Sequence, residues 1–190
     1  MKVGILAVQG DFEAHGKVLG RLGVDHIFVR KPAELAGCDG LILPGGESTT
    51  QLKFLTDEGL LDALRGLGEK GGAFFGTCAG AILLAREVKN PAQPSLGLAD
   101  IVVARNAYGR QVQSRVAFGE SKLKAEPLEM VFIRAPIIEK VGSGVEALAE
   151  CDGRAVLVRE GRVLAATFHP ELTRDNTVHR YFLRLLRDGS

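Results

Sequence analysis

The sequence predicts an α/β fold: a three-layer sandwich whose mixed, mainly parallel central sheet is flanked by helices, with an antiparallel C-terminal portion. Three observations carry this. The first half alternates short apolar runs with amphipathic stretches, the βαβ pattern that builds a parallel sheet. In the middle, Ala73-Phe74-Phe75-Gly76-Thr77-Cys78-Ala79-Gly80-Ala81-Ile82-Leu83-Leu84 reads as a buried strand, a sharp turn and a helix. Towards the end, Val145 to Phe168 breaks into β-rich runs separated by Cys151-Asp152-Gly153 and Glu160-Gly161, and Asp-Gly is a strong hairpin signal.

The composition sets the frame. A chain of 190 residues that is 46% hydrophobic fills one core, and residues 1–190 are read as a single domain. Its 24 basic and 23 acidic residues are spread along the chain, leaving a net charge of +1 and no electrostatic footprint for nucleic acid or an anionic membrane. The opening apolar run stops at Gln9-Gly10-Asp11, too short for a signal sequence or a membrane span, so a cytoplasmic location is expected. Cys38, Cys78 and Cys151 form no paired spacing, which fits a reducing compartment, and Cys38 and Cys151 read as structural.

Taken in order, Lys2 to Val8 is a nearly continuous apolar strand, as expected for one covered on both faces. Asp11 is the expected N-cap of a helix carrying Phe12, Val18, Leu19 and Leu22 that stops at Gly23. His15 in this helix reads as solvent-facing or capping rather than as a metal ligand, because no second ligand sits one turn away. Asp25 to Val29 is the second strand, Lys31 to Leu35 a helical turn, and Gly40 to Leu43 the third strand. It runs into Pro44-Gly45-Gly46-Glu47-Ser48-Thr49-Thr50, where Ser48 or Thr49 can cap the next helix. That loop fits either an ordinary strand-to-helix turn or peptide N–H groups aimed at an anion, and it is no P-loop. Helical patterns follow at about 50–58 and 60–69.

Cys78 stands at the turn in a G-x-C-x-G spacing, the cysteine form of a nucleophile elbow. The first turn of a helix is the positive end of its dipole, which favours the reactive thiolate. Read alone, the segment fits a buried core cysteine equally well. Beyond it, Asn90 to Ser95 is a loop, and Arg105-Asn106-Ala107-Tyr108-Gly109-Arg110-Gln111 reads as an exposed loop near the site. Val131 to Pro136 is a strand running into proline. The last strand empties into His169-Pro170-Glu171, where an extended backbone would put His169 and Glu171 on one side, a base beside its orienting carboxylate. A closing helix from about 176 to 187 buries Val178, Phe182 and Leu185 or Leu186 and shows Arg180, Arg184 and Arg187.

The elbow, the Leu43-Pro44-Gly45-Gly46-Glu47-Ser48-Thr49 loop and the closing His169-Pro170-Glu171 stand together in the order and spacing of a class I (triad) glutamine amidotransferase domain. The opening Gly-Ile-Leu-Ala-Val-Gln-Gly-Asp and the Arg105 to Gln111 segment make the chain resemble one branch, the glutaminase subunits of two-component pyridoxal 5'-phosphate synthase (PdxT/SNO family). That resemblance spans essentially the whole chain. It implies glutamine hydrolysis by a Cys78-His169-Glu171 triad, with Ala79 and the Gly45-Gly46 loop supplying an oxyanion hole. It further implies that glutamine is held by Gly46, Glu47, Ser48, Arg105, Ile133 and Arg134. It implies no cofactor and no metal, and a synthase subunit of the PdxS family as partner in a hetero-oligomer. The histidine-pathway glutaminase is the nearest other fit. A DJ-1-type cysteine protein would lack the closing His-Pro-Glu.

Overall fold

The computed structural model describes residues 1–106 and 114–188. Its elements are β1 (Lys2–Leu6), α1 (Phe12–Arg21), β2 (Asp25–Val29), β3 (Gly40–Leu43), α2 (Ser48–Asp57), α3 (Leu60–Glu69), β4 (Ala73–Thr77) and α4 (Ala79–Leu84). They continue with β5 (Ala85–Lys89), β6 (Ala99–Ala104), β7 (Ser114–Ser121), β8 (Lys124–Ile133), β9 (Ile137–Val141), β10 (Glu146–Cys151), β11 (Arg154–Glu160), β12 (Val163–Ala166) and α5 (Thr177–Arg187).

Among the described residues one large sheet runs β2-β1-β3-β4-β12-β11-β10-β7-β8. Its first five strands are parallel neighbours, and from β12 outward every pairing is antiparallel. The parallel half follows from helical crossovers between strands. The antiparallel half follows from tight turns: Asp152 and Gly153 both have positive φ, the backbone of a two-residue hairpin whose twist suits its strands. A second, three-stranded sheet, β5-β6-β9, was not foreseen in the sequence. Its first strand follows α4 without a loop, so no turn signal announces it.

Two hydrophobic cores sandwich the large sheet because successive side chains of a strand face opposite ways. Phe75 and Ile42 join Leu19 of α1 and Phe182 of α5 on one face, while Phe74 and Leu41 join Leu55, Leu64 and Leu83 of α2, α3 and α4 on the other. The small sheet adds Val88, Ile101 and Ile138 to that second core. Phe74 and Phe75 are both fully buried, and each such ring contributes about 2–3 kcal/mol relative to exposure.

The helix starts depart from expectation in detail. Asp11 occupies the N-cap of α1 without a side-chain cap bond; its φ of −90° and ψ of 52° are not the extended geometry that aims a capping oxygen into the first turn. Helix α2 begins at Ser48 with extended Glu47 at the cap, so neither Ser48 nor Thr49 caps it. The Ser48 hydroxyl donates instead to Gln93 Oε1 at 3.0 Å. Of the Arg105 to Gln111 segment, residues 107–111 lie outside the described residues, and Arg105 itself is mostly buried rather than exposed, its backbone N–H bonded to Lys89 O at 2.9 Å. Helix α5 buries the predicted apolar residues, with Leu183 and His179 added.

Candidate active site

Parallel neighbours β1, β3, β4 and β12 open their carboxyl ends on one edge of the sheet, the place where α/β sheets bind ligands. The register sets Leu43 beside Gly76 and Ala166 beside Thr77. Residues far apart in sequence therefore meet. A cavity of about 300 Å³ lies there, walled by Gly45, Gly46, Glu47, Ser48, Cys78, Arg105, Ile133, Arg134 and His169. Ala79 and Glu171 stand behind this wall, each nearly fully buried. Asn106, in the segment expected near the site, and Gln9, in the opening motif, also line the cavity, as does Leu172, which no local pattern singles out.

The elbow is strained as its spacing suggested. Cys78 has φ 48° and ψ −101°, a conformation that costs a non-glycine residue about 1–3 kcal/mol and clusters at functional sites. Surrounding contacts hold it: the Cys78 N–H donates to Ala166 O at 2.8 Å. Both flanking glycines are required by close approach. A Cβ on Gly76 would run into the Gly80 backbone, and one on Gly80 into the Leu43 carbonyl. The thiol that results is 3.9 Å from Ile133 O and opens on the cavity. Cys38 and Cys151, in contrast, are only part-buried and stand away from it.

His169 follows β12 and is fixed twice. Its N–H donates to Val131 O at 2.8 Å, and its Nδ1 lies 2.7 Å from Glu171 Oε1. The expected extended geometry is not what brings the pair together. Pro170–Leu172 form a 3₁₀ turn, in which Pro170 supplies a preset φ at the first position, and the turn folds Glu171 back beneath the ring. Burial disfavours an imidazolium here, but hydrogen bonds to Cys78 and Glu171 outweigh it and push His169 up to about 10. Burial likewise raises the Glu171 carboxyl, and the neighbouring His15 and the His169 bond outweigh it, holding it below the ordinary carboxylate range.

The 44–48 loop is braced against the end of β1. The Gly45 carbonyl accepts the Asp11 N–H at 3.2 Å, and Gln9 Oε1 accepts the Glu47 N–H at 2.8 Å. Gly45 has no room for a side chain because the His169 ring packs against it. Gly46, at φ 155°, takes a backbone that favours glycine. Across the cavity Arg105 Nη2 pairs with Glu47 Oε1 at 3.2 Å, while Arg105 Nη1 is buried with no hydrogen-bond partner among the described residues. Arg134 is exposed and carries a second strained backbone, φ 44°. Among the described residues no cluster of three or more His, Cys, Asp or Glu could hold a metal, and no helix is long and apolar enough to cross a membrane.

The SNO glutamine amidotransferase family matches residues 5–188. The chain belongs to that family. A relative from Koribacter versatilis, "Pyridoxal 5'-phosphate synthase subunit PdxT", is 56% identical over 190 residues, covering 100% of this chain and 98% of its own length. The protein of that name from Thermotoga maritima is 49% identical, with 98% of this chain and 100% of the relative covered. A solved structure titled "Crystal structure of glutamine amidotransferase" superposes with a TM-score of 0.92 at 50% identity, covering 97% of this chain and 98% of that one. PurLQS from Thermotoga maritima shares the fold alone, with a TM-score of 0.72 at 15% identity.

The SNO-family site has a second layer that reading the residues one by one missed. His15 is fully buried rather than solvent-facing, with Nδ1 3.0 Å from His179 Nε2 and Nε2 3.2 Å from Thr77 Oγ1. The signal was present: His15, Val18, Leu19 and Leu22 stand at i, i+3, i+4 and i+7, and His179, Phe182, Leu183 and Leu186 repeat the spacing, so each histidine lies on the apolar stripe of its helix. Burial holds His15 below its ordinary value and His179 down at about 3.

A pH dependence follows. Both rings remain neutral in the folded SNO-family chain, while the unfolded chain binds protons below 6.5, so stability is lost as pH falls from 6.5. The expected loss is up to about 1.4 kcal/mol per pH unit for each ring. His169 has a raised value, so its contribution is complete below 6.5 and is lost only as pH climbs towards 10. Glu171, lowered, keeps its contribution above 4.5. Urea denaturation between pH 6.5 and 5 therefore reports chiefly on His15 and His179. An unchanged midpoint across that interval refutes their burial as neutral rings.

Proposed function

We propose that this chain is the glutaminase of a two-component pyridoxal 5'-phosphate synthase: it hydrolyses L-glutamine to L-glutamate and hands the ammonia to a separate synthase subunit of the PdxS family. The observation that carries the chemistry is the meeting of a strained Cys78, a His169 bonded to buried Glu171, and a partly unpaired Arg105 in one cavity. Relatives named as pyridoxal 5'-phosphate synthase subunits, about half identical over nearly the full chain, support the pathway. They favour it over the histidine-pathway enzyme. Cytoplasmic assembly as a hetero-oligomer belongs to the same reading.

Cys78 Sγ attacks the side-chain amide carbon, and the electron pair of the C=O collects on oxygen. The Ala79 N–H, at the first position of α4 and without an intrahelical acceptor, and an N–H of the Gly45-Gly46 segment receive that oxyanion. His169 gives its proton to the leaving nitrogen, the C–N bond breaks, and ammonia departs from a γ-glutamyl thioester. Acylation removes the Cys78 hydrogen bond that helped raise His169. The imidazole then accepts a proton from water, which attacks the thioester; the C–S bond breaks and glutamate leaves. Glu171 orients His169 throughout.

Arg105 is the arginine we assign to the glutamine α-carboxylate, because its buried Nη1 has no partner among the described residues while its Nη2 is steadied by Glu47. Gly46, Ser48, Ile133 and Arg134 complete the substrate wall. Arg105→Ala should raise KM by about 10-fold or more, the scale of a lost charge-assisted hydrogen bond, and should lower kcat much less. Arg134→Ala should raise KM by a smaller factor. Unchanged KM in both variants removes these residues from recognition.

The function itself is tested by supplying the synthase subunit, its carbon substrates and either glutamine or ammonium. With glutamine, pyridoxal 5'-phosphate should form only when this chain is present. With ammonium it should form without it. Product from glutamine in the absence of this chain, or none in its presence, refutes the assignment.

A further inference from the structure

We propose that His15 is a positioning residue of the active site: its Nε2–H is the donor that holds the second oxygen of Glu171, and His179 fixes the tautomer that makes this possible. The inference rests on the reading of Cys78, His169 and Glu171 as the reacting set. Glu171 is almost fully buried, and its Oε1 is bonded to His169. Its Oε2 has no hydrogen-bond partner among the described residues, an expensive state for a buried carboxylate oxygen. His15 Nε2 stands 3.6 Å from that oxygen, slightly beyond a direct hydrogen bond, and no other side chain forms an ion pair with it among the described residues. A small rotation of the carboxylate closes the gap, as bonds of this kind tighten when a site is loaded.

The hydrogen-bond pattern selects the direction. His15 Nδ1 and His179 Nε2 are 3.0 Å apart, so one is the donor and the other the acceptor. If His15 donated from Nδ1, its Nε2 lone pair would face the Glu171 carboxylate, and neutral His179 would carry a buried Nδ1–H with no acceptor among the described residues. If instead His179 donates from Nε2, its unpaired Nδ1 is only a bare acceptor, the cheaper defect, and His15 presents Nε2–H to both Glu171 and Thr77 Oγ1. The donor chain then runs one way, from His179 to His15 to Glu171, which in turn takes the Nδ1–H of His169. Thr77 belongs to the same assembly and immediately precedes the nucleophile.

The experiment has two arms. In the first, imidazole 15N NMR on the histidine-labelled full chain, assigned by single substitution, reads the tautomers directly and needs no turnover. Protons on Nε2 of both His15 and His179 are expected; a proton on Nδ1 of His15 with a bare Nε2 overturns the proposal. In the second, glutaminase kinetics with the synthase subunit present compare His15→Gln, whose amide N–H can take the place of Nε2–H, with His15→Leu, which has none. His15→Leu should lose about 10-fold or more in kcat with KM unchanged, as removal of an orienting partner does, and His15→Gln should recover most of it. Equal loss in both variants, or a folded His15→Leu with full kcat, overturns the proposal. If His15→Leu fails to fold, the NMR arm decides. Failure of the glutaminase reading is distinct, since it would abolish turnover in the unmodified chain.

Discussion

Cys78→Ala is expected to lower glutaminase kcat at least ~10³-fold while leaving the fold intact. The size follows from what is removed. Without the sulfur no thioester forms, and the remaining site can only polarise the amide towards water through its oxyanion donors. Stability should change little, because alanine keeps Cβ and the side chain lost is small; relief of none of the elbow strain is expected, since φ 48° is as unfavourable for alanine. A glutamine-mimicking electrophile should mark one cysteine of the three. Label recovered on Cys38 or Cys151, or substantial turnover in Cys78→Ala, refutes Cys78 as the nucleophile.

Adding the cognate synthase subunit should raise kcat about 10²-fold at saturating glutamine. Hydrolysis without an acceptor for ammonia wastes substrate, so a gated site is sensible, and the Gly45-Gly46 peptide can serve as the gate. One hydrogen bond, from the Asp11 N–H to Gly45 O at 3.2 Å, sets its present direction. Turning it over breaks that bond at a net cost of about 1 kcal/mol, and a Gly-Gly peptide meets little steric resistance. One oxyanion donor gained or lost is worth ~10²-fold or more. A partner that rewards the turned peptide by a few kcal/mol is therefore a sufficient switch. Turnover measured with and without the synthase subunit decides it: equal rates refute activation.

Much of this site could be read before any coordinates. Gly76 and Gly80 were legible because close packing at an elbow excludes side chains, and both prove to face backbone atoms at the distance where a Cβ would collide. The meeting of Cys78, His169 and Glu171 follows an order along the chain that the sequence already shows, and the parallel register of β4 and β12 explains why that order brings them together. What was not legible depends on three-dimensional closure. No local pattern reveals that Val131 on β8, at the far end of the sheet order, curls back to accept the His169 N–H. The sequence does not separate a 3₁₀ turn at Pro170 from extended chain, because a proline φ suits both. His15 was misread by judging a histidine by its neighbours in sequence rather than by its place on a helical stripe.

The strand that delivers His169 has a consequence for when this enzyme becomes active. Strand β12 inserts between β4 and β11, in the interior of the sheet, yet it follows every other described strand in the chain. A growing chain can build β1 to β4 and expose the thiol long before its base arrives. Until β12 is seated, Cys78 lacks the Ala166 carbonyl that pins its backbone as well as the imidazole beside it. Chemical competence is thus coupled to the seating of β12, and a chain that stops short of that strand is protected from spending glutamine by the topology of its own sheet.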